Sequence, residues 1–284
     1  MKTLLLLEGG ALRGMYTAGV LDILLENNID VDAIVGVSAG ALIAPNYFSK
    51  QKGRVIRLNK KYCNDQRYIS KRSLMLTGNL VNKKFAYYEV NKNLDPFDEL
   101  SFEKANKKLY VVITNVKTGK AEYRLIKNIF DDMEIFRASS AMPFVTKMVT
   151  IDDNKYLDGA ISDSIPIDFC LSLNYDKIIV VLTQKLGYKK KPFSMEEKFA
   201  IRAKYHKYSN FLESMYNRYA QYNSSLEKVN KLEEDKKIFV FRPSESVQID
   251  ITKASPEAIE KIYNVGINDA RKNIDNLKKY LNID

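Results

Sequence analysis

Apolar runs and helical spacing alternate along the first third of the chain. Residues 3–7 and 33–37 are short and almost wholly apolar, which is typical of buried strands. Between them, residues 14–27 carry apolar side chains at the spacing of a helix. A strand, a helix and a strand in this order predict a parallel pair joined by a right-handed crossover.

The same patterns continue less regularly up to residue 185. Residues 50–105 predict only short helices, and residues 130–140 predict one more helix. A turn signal at residues 117–120 predicts a hairpin between two of the later strands. These later strands are predicted at residues 109–114, 121–126 and 178–183.

After residue 185 the chain becomes rich in Lys and Tyr and keeps a helical spacing. Apolar and aromatic side chains recur at steps of three and four, which predicts one face of a single long helix. These residues are Tyr205, Tyr208, Leu212, Met215, Tyr219, Tyr222, Leu226 and Val229. A strand at 239–243 and a closing helix at 256–281 follow. We therefore predict an α/β domain over residues 3–185, with a mainly helical extension over 186–284 packed on it.

The composition suits an enzyme that works inside the cell. The chain has 284 residues, 45% of them hydrophobic, and no apolar run approaches the ~20 residues that span a bilayer. The first apolar run leads directly into Glu8-Gly9-Gly10, so we interpret it as a strand instead of a signal peptide. Cys63 and Cys170 have neither a disulfide framework nor metal-ligand spacing. These features favour a cytoplasmic location.

Positive charge is concentrated in one segment. Residues 50–84 hold eleven Lys or Arg side chains against Asp65 alone, and their net charge of +10 equals that of the whole chain. One interpretation is a solvated face; the other is a patch for an anionic surface. Apolar side chains interleave the charges, which suits a membrane surface better than a nucleic acid. We expect peripheral contact with the inner membrane face and no nucleic-acid partner.

A serine motif follows the second predicted strand. Gly36-Val37-Ser38-Ala39-Gly40 reads Gly-x-Ser-x-Gly, the pattern of a nucleophile elbow. The turn is so tight that only glycine fits two residues either side of the serine. The serine oxygen then stands at the N-terminus of the next helix, where the helix dipole favours negative charge.

A glycine-rich loop lies between the first strand and its helix. Glycines in Glu8-Gly9-Gly10-Ala11-Leu12-Arg13-Gly14 leave N–H groups free to converge on an anion. The loop also approximates a dinucleotide fingerprint, but its middle glycine is replaced by Ala11. The second strand, moreover, ends in Ser38 where that fold needs a ribose-binding acid. The loop therefore fits acyl-transfer chemistry better.

Two residues compete for the role of base. The chain has one histidine, His206, and a Ser38–Asp158–His206 triad is formally allowed. His206 is predicted in the middle of a helix on a charged face, which is typical of a surface residue. The alternative is Asp158 in Asp158-Gly159-Ala160, a sequence that alone could be a simple turn.

Taken together, these motifs resemble the three signature blocks of the patatin-like phospholipases. The blocks are the loop at residues 9–14, the elbow at 36–40 and the Asp-Gly-Ala at 158–160. Residues 138–144 resemble a further family block, the whole match covers 3–183, and the tail from 190 resembles the helical extension of bacterial members.

The resemblance implies a three-layer α/β/α sandwich with a mostly parallel sheet. It makes Ser38 the nucleophile and Asp158 the base of a dyad, with no metal and no cofactor. The residues it implies around the oxyanion hole are Gly9, Gly10, Ala11, Arg13 and Gly14. Gly36, Gly40 and Gly159 would support the elbow and the dyad. Ala11 stands where many members have glycine, and we expect no loss from its methyl group.

The implied substrate is a phospholipid or another acyl ester. A carboxylesterase or thioesterase with the same residues is the alternative among enzymes. A binding protein that uses the basic segment on anionic partners is the alternative outside enzymes.

Overall fold

An eight-stranded sheet runs through the middle of the computed structural model, which describes residues 1–249 and 254–283. Its strands in chain order are β1 (Thr3–Leu7), β2 (Ala33–Val37), β3 (Lys108–Asn115), β4 (Ala121–Ile126), β5 (Val149–Ile151), β6 (Asn154–Asp158), β7 (Lys177–Val181) and β8 (Phe239–Phe241). The order across the sheet is β5-β6-β3-β2-β1-β7-β8, and β4 also pairs with β3. The pairs between β3, β2, β1, β7 and β8 are parallel, which confirms the predicted parallel pair and the mostly parallel sheet.

Helices cover both faces of the sheet. In chain order they are α1 (Gly14–Glu26), α2 (Ala39–Phe48), α3 (Arg54–Tyr62), α4 (Lys71–Thr77), α5 (Glu99–Ala105), α6 (Met133–Ser139), α7 (Ile167–Ser172), α8 (Met195–Tyr205), α9 (Ser209–Glu234) and α10 (Pro256–Leu281). A π-helix spans Lys83–Leu94. None of the helices in the described residues has a stretch long and apolar enough to cross a bilayer.

The alternating side chains of the strands feed two separate cores. Leu5 and Leu7 of β1 pack in a cluster with α1, α2 and α10, whereas Leu4 and Leu6 pack on the other face with α7 and α9. Successive side chains of a strand point to opposite faces, so an apolar run such as β1 needs cover on both. This arrangement confirms the predicted three-layer α/β/α sandwich.

The way three strands share β3 brings two distant parts of the chain together. Residues 109–112 of β3 pair with both β2 and β4, so those two strands take opposite edges of β3. Ile113 pairs with β4 and with Asp158 of β6. Because β4 already fills one edge, β6 takes the edge that β2 occupies, starting where β2 ends. Asp158 therefore lies next to the residue that follows β2.

The C-terminal part of the chain contributes to both the sheet and its cover. β8 extends the sheet beside β7, and α10 packs along α1. The predicted single helix through Tyr205 and Val229 is wrong, because the chain turns between α8 and α9. The predicted boundary between 3–185 and 186–284 stays a prediction, and residues 250–253 and 284 of the extension lie outside the described residues.

Candidate active site

Ser38 occupies the turn between β2 and α2 in a conformation that few non-glycine residues adopt. Its φ is 53° and its ψ is −118°, and its N–H donates to Ser139 Oγ at 2.9 Å. A Cβ on Gly36 would lie 2.7 Å from Ala41 Cα, and one on Gly40 would lie 2.6 Å from Leu7 O. Both glycines are therefore required by close backbone approach, as the elbow motif predicts.

The serine hydroxyl contacts a carboxylate that is 120 residues away in sequence. Ser38 Oγ donates to Asp158 Oδ2 at 2.8 Å, and the other oxygen, Oδ1, accepts the Ala160 N–H at 2.8 Å. Ser38 is 7% exposed and Asp158 is 5% exposed. Glycine follows Asp158 because a Cβ on Gly159 would lie 2.2 Å from Val112 O. The structure thus brings the two predicted dyad residues into direct contact in a site shielded from bulk water.

Burial makes Asp158 a stronger base than a solvent-exposed aspartate. Removal from water raises the pKa of its carboxyl, while hydrogen bonds from the Ala160 N–H and the Ser38 hydroxyl lower it. Arg218 and Lys190 also lower that pKa through their charges. The net pKa lies above the ordinary value of 3.8, which favours proton transfer from a hydroxyl.

The glycine-rich loop lies against the elbow. A Cβ on Gly9 would lie 2.9 Å from Ser38 Cβ, and one on Gly10 would lie 2.6 Å from Thr183 Oγ1. Among residues 1–249 and 254–283, the N–H groups of Gly10 and Ala11 have no hydrogen-bond acceptor. Unpaired N–H groups in a loop that lies against the serine are one requirement for an oxyanion hole.

Two other residues of this loop have strained or crowded surroundings. Ala11 has a φ of 48°, a conformation that costs an L-residue roughly 1–2 kcal/mol. Alanine at this position therefore adopts a strained backbone conformation, which the sequence did not reveal. Gly14 begins α1, and a Cβ there would lie 2.9 Å from Ile43 Cδ1.

A buried carboxylate fixes the base of the loop. Glu8 Oε2 accepts the Thr183 N–H at 2.6 Å, and Oε1 accepts the Tyr222 hydroxyl of α9 at 2.8 Å. One turn before Tyr222, Arg218 Nε donates to Ala160 O at 2.6 Å. One face of α9 therefore holds both the glycine-rich loop and the turn that carries Asp158.

Three cations surround this network. Arg13, Lys190 and Arg218 form no ion pair within 4 Å in the described part of the chain. The Lys190 ammonium lies 4.5 Å from the centre of the Tyr222 ring. Burial, together with the charges of Arg218 and Arg13, lowers the pKa of Lys190 to about 8. The positive charge near the dyad favours an ionised Asp158 and an ionised Glu8.

An apolar cavity opens beside Ser38. Its volume is about 200 Å³, and Ala11 and Ser38 lie in its wall. The rest of the lining is mostly hydrophobic and includes Leu12, Met15, Ile43, Leu58, Val90 and Phe136. A cavity of this kind can accommodate a hydrocarbon chain attached to a carbonyl at Ser38.

The basic segment 50–84 does not form a continuous surface. Arg54 is only 3% exposed, and its guanidinium donates to Asp95, Asn46 and Asn91. Arg57 also binds Asp95. Arg54 is therefore not part of an exposed basic patch, because its guanidinium is buried in the cavity wall.

The single histidine lies apart from the dyad. His206 follows the last residue of α8, is exposed, and contacts Ala203 O through Nδ1 at 3.1 Å. Its predicted mid-helix position is wrong, whereas its surface position is as expected. Ser38 and Asp158 form their contact without it. The described residues contain no cluster of three or more His, Cys, Asp or Glu side chains that could hold a metal ion.

A family model described as patatin-like phospholipase matches residues 5–171, more than half of the chain. The chain belongs to the patatin-like phospholipase family. In this family member a second model, described as a domain of unknown function (DUF6363), matches residues 208–282, which include α9 and α10.

Two curated relatives match this patatin-like chain over similar lengths. The uncharacterized protein YjjU of Escherichia coli (strain K12) is 26% identical over 193 residues, which cover 63% of this chain and 51% of that protein. The probable lipid hydrolase 463L of Invertebrate iridescent virus 6 is 25% identical over 192 residues, which cover 61% of this chain and 64% of that protein. The match thus spans about half to two thirds of these relatives.

Two solved structures are distantly similar. VipD from Legionella pneumophila aligns with a TM-score of 0.48 and 15% identity, over 97% of this chain and 67% of that one. The type III effector protein ExoU aligns with a TM-score of 0.39 and 13% identity, over 97% of this chain and 53% of that one.

Sequence reasoning did not find the residues that support the site of this patatin-like chain from a distance. The sequence patterns place Glu8 only in the glycine-rich loop and Tyr222 only in an apolar stripe. Arg218 lies four residues before Tyr222 and shares its helix face, which is the one signal that the pair could act together. Their partners could not be identified without the tertiary structure.

Proposed function

We propose that this protein is a serine acyl hydrolase that cleaves phospholipids or lysophospholipids through a Ser38–Asp158 dyad. The observation that carries the proposal is the 2.8 Å hydrogen bond from Ser38 Oγ to the buried Asp158 carboxylate. The apolar cavity beside Ser38 supports a lipid acyl chain as the group that is transferred. The patatin-like family is consistent with the same chemistry.

The reaction runs through an acyl-enzyme. Asp158 accepts the Ser38 proton as Oγ attacks the ester carbonyl, and the N–H groups of Gly10 and Ala11 bind the oxygen that becomes negative. The leaving alcohol then takes the proton from Asp158 as the ester C–O bond breaks. Water attacks the acyl-Ser38 ester, Asp158 accepts a proton from it, and the fatty acid leaves as Ser38 regains its hydrogen.

Two contributions share the catalytic work. A correctly placed base typically accelerates proton transfer about 10²–10⁴-fold. One oxyanion-hole donor typically contributes about 3–4 kcal/mol to transition-state stabilisation. The loop that presents Gly10 and Ala11 should therefore matter nearly as much as Asp158.

A covalent probe and one variant test the nucleophile. A fluorophosphonate should label the wild type at Ser38, because only an activated serine reacts with it. Ser38→Ala should reduce ester hydrolysis to background while circular dichroism shows an unchanged fold. Ser49→Ala is the matched control and should label normally. Ser49 directly follows α2 and does not line the cavity, whereas Asn46, which is buried on α2, does. Unlabelled wild type, or an active Ser38→Ala variant, would refute the assignment.

A carboxylesterase or thioesterase with the same dyad is the second candidate. The mostly apolar cavity is compatible with this second candidate, because an acyl chain on any leaving group would fit there. Release of fatty acid from mixed phospholipids, lysophospholipids and short-chain esters separates the two, because a phospholipase prefers the first two classes. A non-catalytic binding protein would hydrolyse none of these esters.

We further propose a cytoplasmic protein that contacts the inner membrane face. The support for this is the cationic segment 50–84, of which only part faces solvent.

A further inference from the structure

Helix α4 forms the tip of a loop over residues 69–81. The two ends of this loop, which we call its stem, line the cavity. Ile69 and Val81 pair as an antiparallel bridge at the stem, and both residues lie in the cavity wall. The Ser70 N–H donates to Leu80 O at 3.0 Å and reinforces the stem. Lying between these two anchors, α4 is joined directly to the wall of the candidate active site.

The tip exposes two large apolar side chains. Met75 is 87% exposed and is the most exposed large hydrophobic residue in the described ranges, and the neighbouring Leu76 is 74% exposed. Ser73 on the same helix is buried and faces the protein. Single exposed apolar residues are ordinary, whereas two adjacent ones next to the stem of a mostly apolar cavity indicate an interaction site.

Cations that have no acidic partner surround the tip. Lys71 and Arg72 begin α4, Lys84 follows the stem, and Lys147 lies alongside, since its N–H donates to Asn79 Oδ1 at 3.0 Å. All four are exposed, and none lies within 4 Å of a carboxylate in residues 1–249 or 254–283. By contrast, Arg54, Arg57 and Lys60 of the same basic segment bind acidic side chains.

We propose that α4 is the membrane-docking element of this protein: Met75 and Leu76 insert into an anionic lipid surface while Lys71 and Arg72 contact lipid phosphates. An anionic bilayer is the occupant that matches both parts of the surface, because it offers an apolar interior below a negative plane. The inference rests on the proposed lipid-ester hydrolysis for its purpose, since docking at α4 brings the cavity wall to the lipid.

The first experiment measures binding to vesicles. Ser38→Ala protein, which leaves the lipid intact, is co-sedimented with phosphatidylglycerol or phosphatidylcholine vesicles at low and high salt. One cation near an anionic surface changes partitioning about fivefold. The Lys71→Glu, Arg72→Glu double variant should therefore lose at least about 25-fold at low salt and much less at 1 M, where the Debye length is about 3 Å.

The apolar residues are tested by a second double variant. Met75→Ser with Leu76→Ser should weaken binding at least about tenfold at every salt concentration, because the apolar contribution is not screened. Leu100→Ser is the matched control: Leu100 is 68% exposed on α5, which packs on Phe48 at the end of α2 remote from Ser38. That variant should bind like its parent.

A fluorescent reporter shows insertion directly, because the chain contains no tryptophan. Leu76→Trp should shift its emission to the blue on phosphatidylglycerol vesicles and be quenched by brominated acyl chains. Leu100→Trp should show neither change. Circular dichroism of each weakened binder shows whether it is still folded.

Several results would overturn the inference. One is no vesicle binding by the parent protein, or equal binding by the α4 variants. Another is loss of binding only on changing Met195 and Phe199, the exposed apolar pair of α8. A third is lipid-free dimerisation that the α4 variants abolish, because α4 would then be a contact between two copies. Turnover of a soluble short-chain ester tests the hydrolase separately: docking without turnover refutes only the proposed function, and turnover without docking refutes only the role of α4.

Discussion

At the residue scale, the proposed chemistry depends on a carboxylate acting where histidine is the usual base. Asp158 lies 2.8 Å from Ser38 Oγ, whereas His206 is exposed after α8. Asp158→Asn keeps the shape but cannot accept a proton, so we expect ester turnover to fall about 10²–10⁴-fold. His206→Gln should stay within about threefold of wild type, since the hydrogen bond of its ring among the described residues goes to Ala203 O of α8. Steady-state hydrolysis of a soluble ester measures both, and a collapse in the histidine variant alone would favour the triad.

The pH dependence follows from the surroundings of Asp158. Burial raises its pKa above 3.8, and only the ionised form is a base, so kcat/KM should rise with pH through this raised value. Lys190 is one of two cations that lower the pKa of Asp158. Lys190→Met should therefore move the acidic limb of the profile to higher pH.

The control for this shift is the neighbouring lysine. Lys189 is exposed and does not contribute to the Asp158 pKa, so Lys189→Met should leave the acidic limb in place. A limb that stays fixed in Lys190→Met, or moves to lower pH, would contradict the electrostatic role of Lys190.

At the element scale, α9 connects the C-terminal region to the chemistry. Its Tyr222 hydroxyl binds Glu8 at the base of the glycine-rich loop, and its Arg218 binds Ala160 O behind Asp158. Gln221 of the same helix donates to Asp163 at 3.0 Å. The segment matched by the domain of unknown function thus begins with a helix that holds both sides of the site.

Removal of one hydroxyl tests this connection. Tyr222→Phe leaves Glu8 Oε1 buried without its donor, which costs roughly 1–3 kcal/mol of folding free energy. Displacement of the loop should also lower kcat about ten- to hundredfold with little change in KM, because the loop binds the transition state and not the acyl chain. Urea titration and steady-state kinetics measure the two effects.

Tyr219→Phe provides the comparison on the same helix. Tyr219 is only partly buried, and its hydroxyl has no hydrogen bond among residues 1–249 and 254–283. Its loss should therefore change neither stability nor kcat. A Tyr222→Phe enzyme with raised KM and normal kcat would show that α9 shapes substrate binding instead of the oxyanion loop.

At the scale of the whole molecule, α1 and α10 approach so closely that their backbones nearly touch at two glycines. A Cβ on Gly266 would lie 2.2 Å from Tyr16 O, and one on Gly19 would lie 2.2 Å from Tyr263 O. Gly266→Val must push the helices apart, so we expect a loss of at least about 1–3 kcal/mol in unfolding free energy. Asn268→Val, exposed on the same helix, should cost only a few tenths of a kcal/mol.

The same titration tests the predicted division at residue 185. Because β8 pairs with β7 and α10 covers α1, circular dichroism and ester hydrolysis should be lost at one urea midpoint, earlier in Gly266→Val. Two separate transitions would show that residues 186–284 fold independently.

Most of the fold could be predicted because its strands and helices follow from local patterns of apolar and polar residues. The apolar runs of β1 and β2 and the helical spacing of α10 need only neighbouring residues to be recognised. The break between α8 and α9 escaped prediction because Tyr205 keeps the spacing of the later stripe. Its ring instead packs on Phe144 and Phe211, a choice made by distant contacts.

The sequence by itself determined the parts of the site that depend on backbone shape. Gly36, Ser38 and Gly40 form a turn that few other residues allow, because its close backbone approaches leave no room for a Cβ at the two glycines. These constraints act over a few residues, so they can be recognised from the sequence alone.

The tertiary structure alone decided which distant groups meet around that turn. Glu8 and Tyr222 are separated by 214 residues and form a hydrogen bond. Arg54 forms an ion pair with Asp95. Met75 stays in solvent although its apolar side chain would suit a core. Burial and pairing depend on how strands and helices pack, and packing sums many weak contacts that no single stretch of sequence contains. The elbow is therefore a property of the sequence, whereas the carboxylate that meets Ser38, the support of the site by α9 and the exposed tip at α4 are properties of the fold.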